Sequence, residues 1–412
     1  MKLFTSIAMD FSFTYRTWFY RLVSILLLVA ADQAHGLYRG DEFDPRDYRM
    51  GSAYFINRAS YRPRSELVDQ FNASTNAYIG AAGSISSSDL FLYQRLKLSQ
   101  PMGPSFLFRI DYLQDRDFDG KFQHFELGLQ YRLNAHWSVE VLGEPTPDKD
   151  QADIGGALLF QDDRLYVRMQ GVWPSFVFDD KNPDGATMDR HAPNLQLATR
   201  CLVGSSWEVW AHSDLDFPRR LTNPAKSFEF SFEKYQAEGG IRWHTTETGR
   251  LDLAMEGEWS EKERTGLETG DAADFSVERQ YLMLSLEFWQ RLRRETSYRA
   301  GAHYVLFDED RDFPHNPGEI LYTDRQDRIV YLGRIWNLRD GLQLNTLMLA
   351  NVLQDRRVVD EERRNSSATD FQLRSANSLI FHGPDYQVEM GAAVDLDRRR
   401  FGGGFVKAFI DF

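Results

Sequence analysis

The sequence has almost no cysteine, and this scarcity limits the chemistry it can perform. Its 412 residues include a single cysteine, Cys201, so neither an internal disulfide nor a cysteine-based metal site can form within the chain. Cys201 lies in the apolar run from Leu197 to Val203, and we interpret it as a small apolar strand residue rather than a reactive thiol. The cysteine content therefore predicts neither a disulfide framework nor a thiol-based site.

Positive charge and clustered histidines are also scarce. Lys and Arg number 48 against 61 Asp and Glu, a formal net charge of -13. No basic stripe, zinc-finger signature or RNA-binding signature offsets this balance, which argues against nucleic-acid binding. The histidines are scattered and none forms a His-x-x-x-His pair, so a metal hydrolase is not indicated. We expect no cofactor and no metal site.

The triplet His212-Ser213-Asp214 contains the residue types of a serine hydrolase. Residues that are adjacent along a strand point to opposite faces, so His212 and Ser213 cannot meet there as base and nucleophile. We therefore predict that the protein is not an enzyme and has no catalytic residues.

Long apolar runs are missing after the first 36 residues. The N-terminus has basic residues, then the apolar stretch from Leu22 to Ala31, then Ala34-His35-Gly36. This is the order of a signal peptide, and its apolar stretch is too short to span a bilayer. We predict a signal peptide over residues 1–36, cleaved near Gly36, and a periplasmic N-terminal segment or plug over residues 37–70. The exported protein could be periplasmic, secreted or an outer-membrane barrel.

Alternation of apolar and polar residues is what the sequence does have. From about Phe71 to the end, stretches of roughly ten residues alternate and are followed by a turn, which is typical of barrel strands. Residues 250–259 show it best, with Leu251, Leu253 and Met255 on one face and Arg250, Asp252 and Glu256 on the other. The chain thus predicts strands with one apolar and one polar face.

A soluble sandwich would alternate in the same way, but two further features favour lipid. Tryptophans recur near strand ends, as interfacial aromatic residues do, at Trp137, Trp173, Trp207, Trp243 and Trp259. Short connections also alternate with long, charged ones. The short ones are at 101–104, 134–136, 161–163, 204–206, 246–249, 339–341 and 382–385, and the long ones at 179–193, 261–274, 307–327 and 354–370.

These features predict an all-β fold, a single antiparallel transmembrane β-barrel with short periplasmic turns and longer extracellular loops. The barrel would occupy residues 71–412. We estimate about 18 strands, with 16 as the alternative, because both termini should lie on the periplasmic side.

The last eight residues resemble a known signal. Val406, Ala408, Ile410 and Phe412 alternate with Lys407 and Asp411, and the strand ends in an aromatic residue as in Gram-negative outer-membrane proteins. The resemblance implies insertion by the barrel-assembly machinery and residence in the outer membrane, among lipid and lipopolysaccharide. In architecture the chain is similar to polysaccharide-export porins of the alginate-exporter type, which would add periplasmic export components as partners; no motif identifies a subfamily.

Charged residues on the polar faces are the candidate functional groups. Rings of charge in a pore guide a solute, but opposite charges can also pair across neighbouring strands and only line or close the lumen. The candidates are Arg109, Arg132, Arg164, Arg168, Arg242, Arg250, Arg299, Arg334, Arg374, Lys407, Asp111, Glu126, Glu140, Glu208, Glu229, Glu256, Glu258, Glu389 and Asp411.

Two charged stretches are interpreted as exposed loops. Residues 308–312 could supply oxygen ligands to calcium but lack the spacing of an EF-hand, and residues 360–364 could touch lipopolysaccharide. The function favoured by the sequence is a passage for polar or anionic solutes, including export of an exopolysaccharide. The alternatives are a non-conducting barrel that scaffolds an envelope complex and, third, a lipid-modifying enzyme.

Overall fold

The computed structural model consists of strands joined by turns. It describes residues 76–85, 90–116, 121–144, 153–173, 187–190, 193–223, 227–246, 248–266, 274–292, 296–312, 320–359, 364–383 and 386–411. The strands are β1 Asn76–Ile85, β2 Leu90–Pro101, β3 Phe106–Arg116, β4 Lys121–Arg132, β5 Trp137–Glu144, β6 Asp153–Gln161, β7 Leu165–Trp173, β8 Thr187–Arg190, β9 Asn194–Val203, β10 Trp207–Asn223, β11 Phe228–Thr246, β12 Gly249–Gly266, β13 Phe275–Leu292, β14 Thr296–Asp312, β15 Ile320–Arg339, β16 Leu342–Val359, β17 Arg364–His382, β18 Tyr386–Asp395 and β19 Arg400–Asp411. None of the described residues forms a helix long and apolar enough to cross a bilayer. The predicted signal peptide and the segment 37–70 lie outside the described residues.

The strands form one antiparallel sheet that closes on itself. β1 pairs with β2 on one side and with β19 on the other, so that Ile79 lies opposite both Leu96 and Ile410. β8 and β9 pair with successive parts of β10, and the 19 strands therefore occupy 18 positions. Closure gives β1 a hydrogen-bonded neighbour on both sides, as strands that stand in lipid require. The predicted fold class, a single antiparallel β-barrel, is confirmed.

Short turns join the strands at one end of the barrel, where the sequence predicts them. The Asn134 side chain accepts hydrogen bonds from the backbone N–H groups of His136 and Trp137 at 2.9 and 3.0 Å. The Asp162 side chain accepts from the N–H groups of Arg164 and Leu165 at 2.7 and 2.6 Å. Asn and Asp favour such turns because they satisfy the backbone locally.

The opposite end of the barrel differs from the prediction. β10 to β17 have 17 to 20 residues, whereas β1 to β9, β18 and β19 have 4 to 12; we call these the tall wall and the short wall. Much of the predicted long loops is strand: β12 continues to Gly266, β14 to Asp312 and β16 to Val359. The predicted loops 261–274, 307–327 and 354–370 are therefore wrong in extent, and residues 308–312 are the end of a strand rather than a surface loop. The loop predicted over 179–193 likewise contains the short strand β8.

The reason for this error is visible on β12. From Leu251 to Trp259 the outward residues are apolar or small, but beyond Trp259 they are Glu261, Glu263 and Thr265. The inward residues there, Lys262 and Arg264, are charged as well, so the alternation that marks a strand disappears although the backbone ladder continues to Gly266. A barrel strand that is charged on both faces above the membrane has the sequence pattern of a loop.

The outer face carries the exposed apolar side chains. Leu253, Val330 and Leu332 are 55%, 55% and 62% exposed, and they alternate with buried inward residues along their strands. Trp207 and Trp243 stack on this face at 5.4 Å near the short turns, and Tyr235 and Trp259 stack at 5.5 Å further up. From Trp243 to Tyr235 the strand rises roughly 27 Å, or about 21 Å along the membrane normal at a tilt near 40°. The fold is that of a transmembrane β-barrel.

Candidate functional site on the inner wall

The inner face of the sheet collects most of the predicted charged residues. Those placed inside by the strand register are Arg109, Arg132, Arg168, Arg242, Arg250, Arg299, Arg374, Asp111, Glu126, Glu140, Glu208, Glu256, Glu258 and Glu389. In the backbone register of β19, Lys407 pairs with Glu389 of β18. Val406, Ala408 and Ile410 alternate with Lys407 and Asp411 along β19, whereas Phe412 lies outside the described residues.

Three predicted lumen residues lie elsewhere. Arg334 is on the outer face, where its guanidinium lies 3.2 Å from the centroid of the Trp336 ring and 4.9 Å from that of Tyr298. Glu229 is also on the outer face and accepts an ion pair from Arg220 at 2.9 Å. Arg164 is in the turn between β6 and β7. Apolar residues lie on both faces of β15 around Arg334, so the sequence pattern does not show which face Arg334 occupies.

A closed ion network covers the inner face of β3 to β7. Arg109 donates to Glu140 at 2.6 Å and to Glu126 at 2.8 Å. Arg168 lies 3.0 Å from the second oxygen of Glu140, and its Nη2 donates to Gln170 at 2.6 Å. The Glu140 side chain is 0% exposed. These two arginines and two glutamates balance one another within the network.

A second network crosses β9 to β12. Arg200 donates to both oxygens of Glu208 at 3.0 and 3.3 Å, and Arg242 donates to both oxygens of Asp252 at 2.8 and 3.2 Å. Arg250 lies 3.3 Å from Asp252. Such two-pronged contacts fix guanidinium and carboxylate geometry. The predicted residues Glu208, Arg242 and Arg250 thus lie in ion pairs within the wall.

An apolar patch on the inner face of β13 to β17 was not predicted. Val305, Leu347 and Leu349 are 2%, 1% and 4% exposed within one cluster. The further members are Met283, Phe307, Ile329, Tyr331 and Ala376. The signal for this patch is present in uninterrupted apolar runs such as residues 329–332 and 347–350, which are typical of strands buried on both faces.

The upper inner surface of the tall wall combines rings with cations. It consists of Phe228, Phe230, Phe232, Lys262, Arg264 and Phe275, all partly exposed. The Lys262 ammonium lies 5.6 Å from the centroid of the Phe232 ring, and the Arg264 guanidinium 4.9 Å from that of Phe228. Phe230 and Phe275 meet edge to face at 6.5 Å. The register places these residues on the same face as Arg242 and Asp252.

The outer surface at the same height is acidic. Glu233, Glu261, Glu278 and Asp310 lie directly opposite one another on successive strands. Tyr235 donates its hydroxyl to Glu233 at 2.9 Å, and the Trp259 indole donates to Glu278 at 2.8 Å. Burial and the facing Glu278 raise the pKa of the Asp310 carboxyl. The excess of acid in the sequence is thus placed partly outside the barrel.

The residues considered for chemistry remain apart. On β10, His212 and Asp214 share the inner face with Glu208, and Ser213 lies on the outer one, as expected from alternation. Cys201 is a buried strand residue of β9, 1% exposed. Within the part of the chain that the structure describes, no group of three or more His, Cys, Asp and Glu could hold a metal ion.

Comparison with known proteins yields only distant likenesses in structure. No family profile matches the chain, and no curated protein matches its sequence. The solved structures similar to it include CdiB from Acinetobacter baumannii, at 8% identity and a TM-score of 0.43 over 82% of this chain; the chain spans 60% of CdiB. OprD from Pseudomonas aeruginosa has 8% identity and a TM-score of 0.41 over 84% of this chain and 98% of its own. A bacterial polysaccharide outer membrane secretin has 11% identity and a TM-score of 0.40 over 82% and 99%.

Proposed function

We propose that the protein is an outer-membrane channel through which polar solutes cross. The observation that supports this most directly is the closed sheet itself, with an apolar outer face and an inner face built largely from charged and amide side chains. A wall of this kind separates lipid from a polar interior. The finer form of the proposal is that the solutes include anionic ones, such as an exopolysaccharide in export, and that the protein does not act as an enzyme.

The paired charges indicate how such a channel would behave. Because Arg109, Arg168 and Arg242 are each held by carboxylates of the wall, they do not present free charge to a passing ion. We therefore expect weak ion preference at mid-height.

A second candidate, the non-conducting scaffold, is favoured by one observation. The inner side chains of β3 to β7 are as buried as those of a protein core, for instance Glu140 at 3% and Gln130 at 2%. A lumen occluded in this way would carry no current.

Conductance of the purified mature chain in planar bilayers separates the two candidates. The chain offers a clean probe because its one cysteine is buried at 1% exposure. A new cysteine at Ala254, on the inner face of β12, should react with a charged, membrane-impermeant methanethiosulfonate and lower the conductance. Ala302→Cys, on the outer face of β14, is the matched control and should show no change. An absence of stable conductance steps, or equal responses of the two variants, would contradict the channel.

A further inference from the structure

Arg334 is a lipid-facing arginine without a carboxylate beside it. Its neighbours across β14 and β16 are Tyr298 and Thr346, and the outward residues before and after it on β15 are Leu332 and Trp336. Its Nε is buried and has no hydrogen-bond acceptor among the residues that the structure describes. The buried inner arginines differ, because carboxylates of neighbouring strands hold them in ion pairs. Arg334 therefore carries a positive charge that the described wall does not neutralise.

The guanidinium of Arg334 lies at the height of the aromatic girdle on the short-turn side. Trp336 is three residues from the end of β15, as Trp243 is from the end of β11, so both rings lie at about the same distance from the turns. The Arg334 side chain extends toward this girdle, since its guanidinium lies 3.2 Å from the centroid of Trp336 and 4.9 Å from that of Tyr298. Interfacial aromatic rings lie at the level of lipid headgroups, and long cationic side chains extend their charge to that level. The cation is therefore placed among headgroups rather than among acyl chains.

The stacked guanidinium keeps its N–H groups available. A ring centroid 3.2 Å from the guanidinium carbon requires contact between the two flat faces, whereas the N–H groups of arginine lie in the guanidinium plane, at its edge. An arginine held in this way can donate two parallel hydrogen bonds to a phosphate. Stacking on a ring and donation to an anion thus use different parts of the same side chain.

Two further polar side chains extend the site along the wall. Thr346 lies opposite Arg334 and donates its hydroxyl to the Arg334 carbonyl at 3.2 Å. Asn377 lies opposite Thr346 on β17 and is exposed on the same outer face. In the next outward row, Leu332 and Met348 are apolar. Polar groups that face lipid cost free energy unless they are hydrogen-bonded, and the glycerol and phosphate oxygens of a headgroup supply acceptors for them.

We propose that Arg334, stacked on Trp336, binds the phosphate of an anionic phospholipid in the periplasmic leaflet. Inorganic phosphate offers the same anion, but only a lipid also covers the apolar outward residues beyond the arginine, Val330 and Leu332, which are 55% and 62% exposed. A headgroup without a cation of its own suits the site, because the neighbouring described residues provide no acid to balance a second positive charge. The site lies outside the barrel and goes beyond the proposed function.

Native mass spectrometry of the full mature chain, released from detergent micelles with added lipid, measures this binding. The probe is phosphatidylglycerol, and phosphatidylcholine with the same acyl chains is the control lipid because its choline places a cation beside Arg334. We expect phosphatidylglycerol to bind about fivefold more tightly, as one partly exposed charge pair provides. Inorganic phosphate in excess should not displace the lipid, because a free anion makes no contact with the apolar wall.

Three substitutions on β15 locate the site. Arg334→Gln should weaken phosphatidylglycerol binding about tenfold, because the charged donor of two hydrogen bonds is lost. Arg334→Lys keeps the charge but not the planar pair of donors, so its affinity should lie between those of the parent and Arg334→Gln. Arg328→Gln is the matched control and should bind as the parent does. Arg328 is exposed on the outer face of the same strand and donates to Gln354 at 3.4 Å.

The inference is overturned if Arg334→Gln or Arg334→Lys binds phosphatidylglycerol as the parent does, or if Arg328→Gln weakens binding as much as Arg334→Gln. It is also overturned if phosphatidylcholine binds as tightly as phosphatidylglycerol. Displacement of the lipid by inorganic phosphate would overturn it as well, since the site would then be one for the free anion. None of these measurements involves the lumen, so their failure leaves the proposed channel standing.

Discussion

The short wall and the tall wall differ in the side chains that pack on their inner faces. In both walls the outer face is apolar and the inner face is covered by side chains. On the short wall, β3 to β7 do so with ion pairs such as Arg109 to Glu140 at 2.6 Å. On the tall wall, β13 to β17 do so with an apolar cluster around Leu347 and Val305. A barrel interior therefore need not be polar throughout.

The difference extends above the membrane. The short wall ends near Trp173, at the height where interfacial aromatics belong, whereas β11 to β14 continue past Tyr235 and Trp259. There the polarity of the two faces is exchanged in part, with acids outside and phenylalanines inside. The taller strands thus provide a second environment that the described part of the short wall lacks.

The largest effect should come from breaking the short-wall network. Glu140→Ala removes the partner of both Arg109 and Arg168 and leaves buried cations without a carboxylate. Such a change costs roughly 3–5 kcal/mol, measured as the free energy of urea unfolding from lipid vesicles. Glu263→Ala, on the exposed outer face of β12, is the control and should cost little. A loss at Glu140 as small as that of the control would mean that water solvates the network.

On the tall wall the corresponding change is Leu347→Ala. Leu347 is 1% exposed within the inner apolar patch, and truncating it leaves a cavity at a cost of about 3 kcal/mol. Leu332→Ala, 62% exposed on the outer face, should cost less because lipid chains fill the space. Urea unfolding of both variants checks this, and equal losses would show that the patch is not packed.

Much of the barrel followed from its sequence because two local rules suffice for it. Alternation gave the faces of β4, β12 and β18, and turn chemistry at Asn134 and Asp162 gave the strand ends. Both rules depend only on neighbours along the chain, which is why they can be applied without a structure.

What could not be predicted depends on height and on partners across strands. Residues 308–312 are predicted as a loop because both faces of β14 are charged there. Arg334 is predicted to face the lumen because Leu332 and Ile335 are apolar and lie on opposite faces, so the pattern does not show which face Arg334 occupies. The apolar patch needs five strands in register before its members meet, so the apolar runs at 329–332 and 347–350 indicate strands buried on both faces but not the patch that they form together.

Two separate arginine substitutions on β13 can locate the boundary of the membrane on the tall wall. Leu284 is 43% exposed on the outer face of β13 and lies opposite Met255, midway between Leu251 and Trp259. Leu284→Arg should cost about 2–4 kcal/mol, the value for the bilayer midplane, whereas Ser276→Arg on the same face should cost about 0–1 kcal/mol. The second arginine would even approach the acids of the neighbouring strands, Glu263 and Asp312. Urea unfolding in vesicles compares the free energies of unfolding of the two variants. An equal cost would mean that lipid surrounds the whole height of β13, so that the upper part of the tall wall does not stand above the membrane.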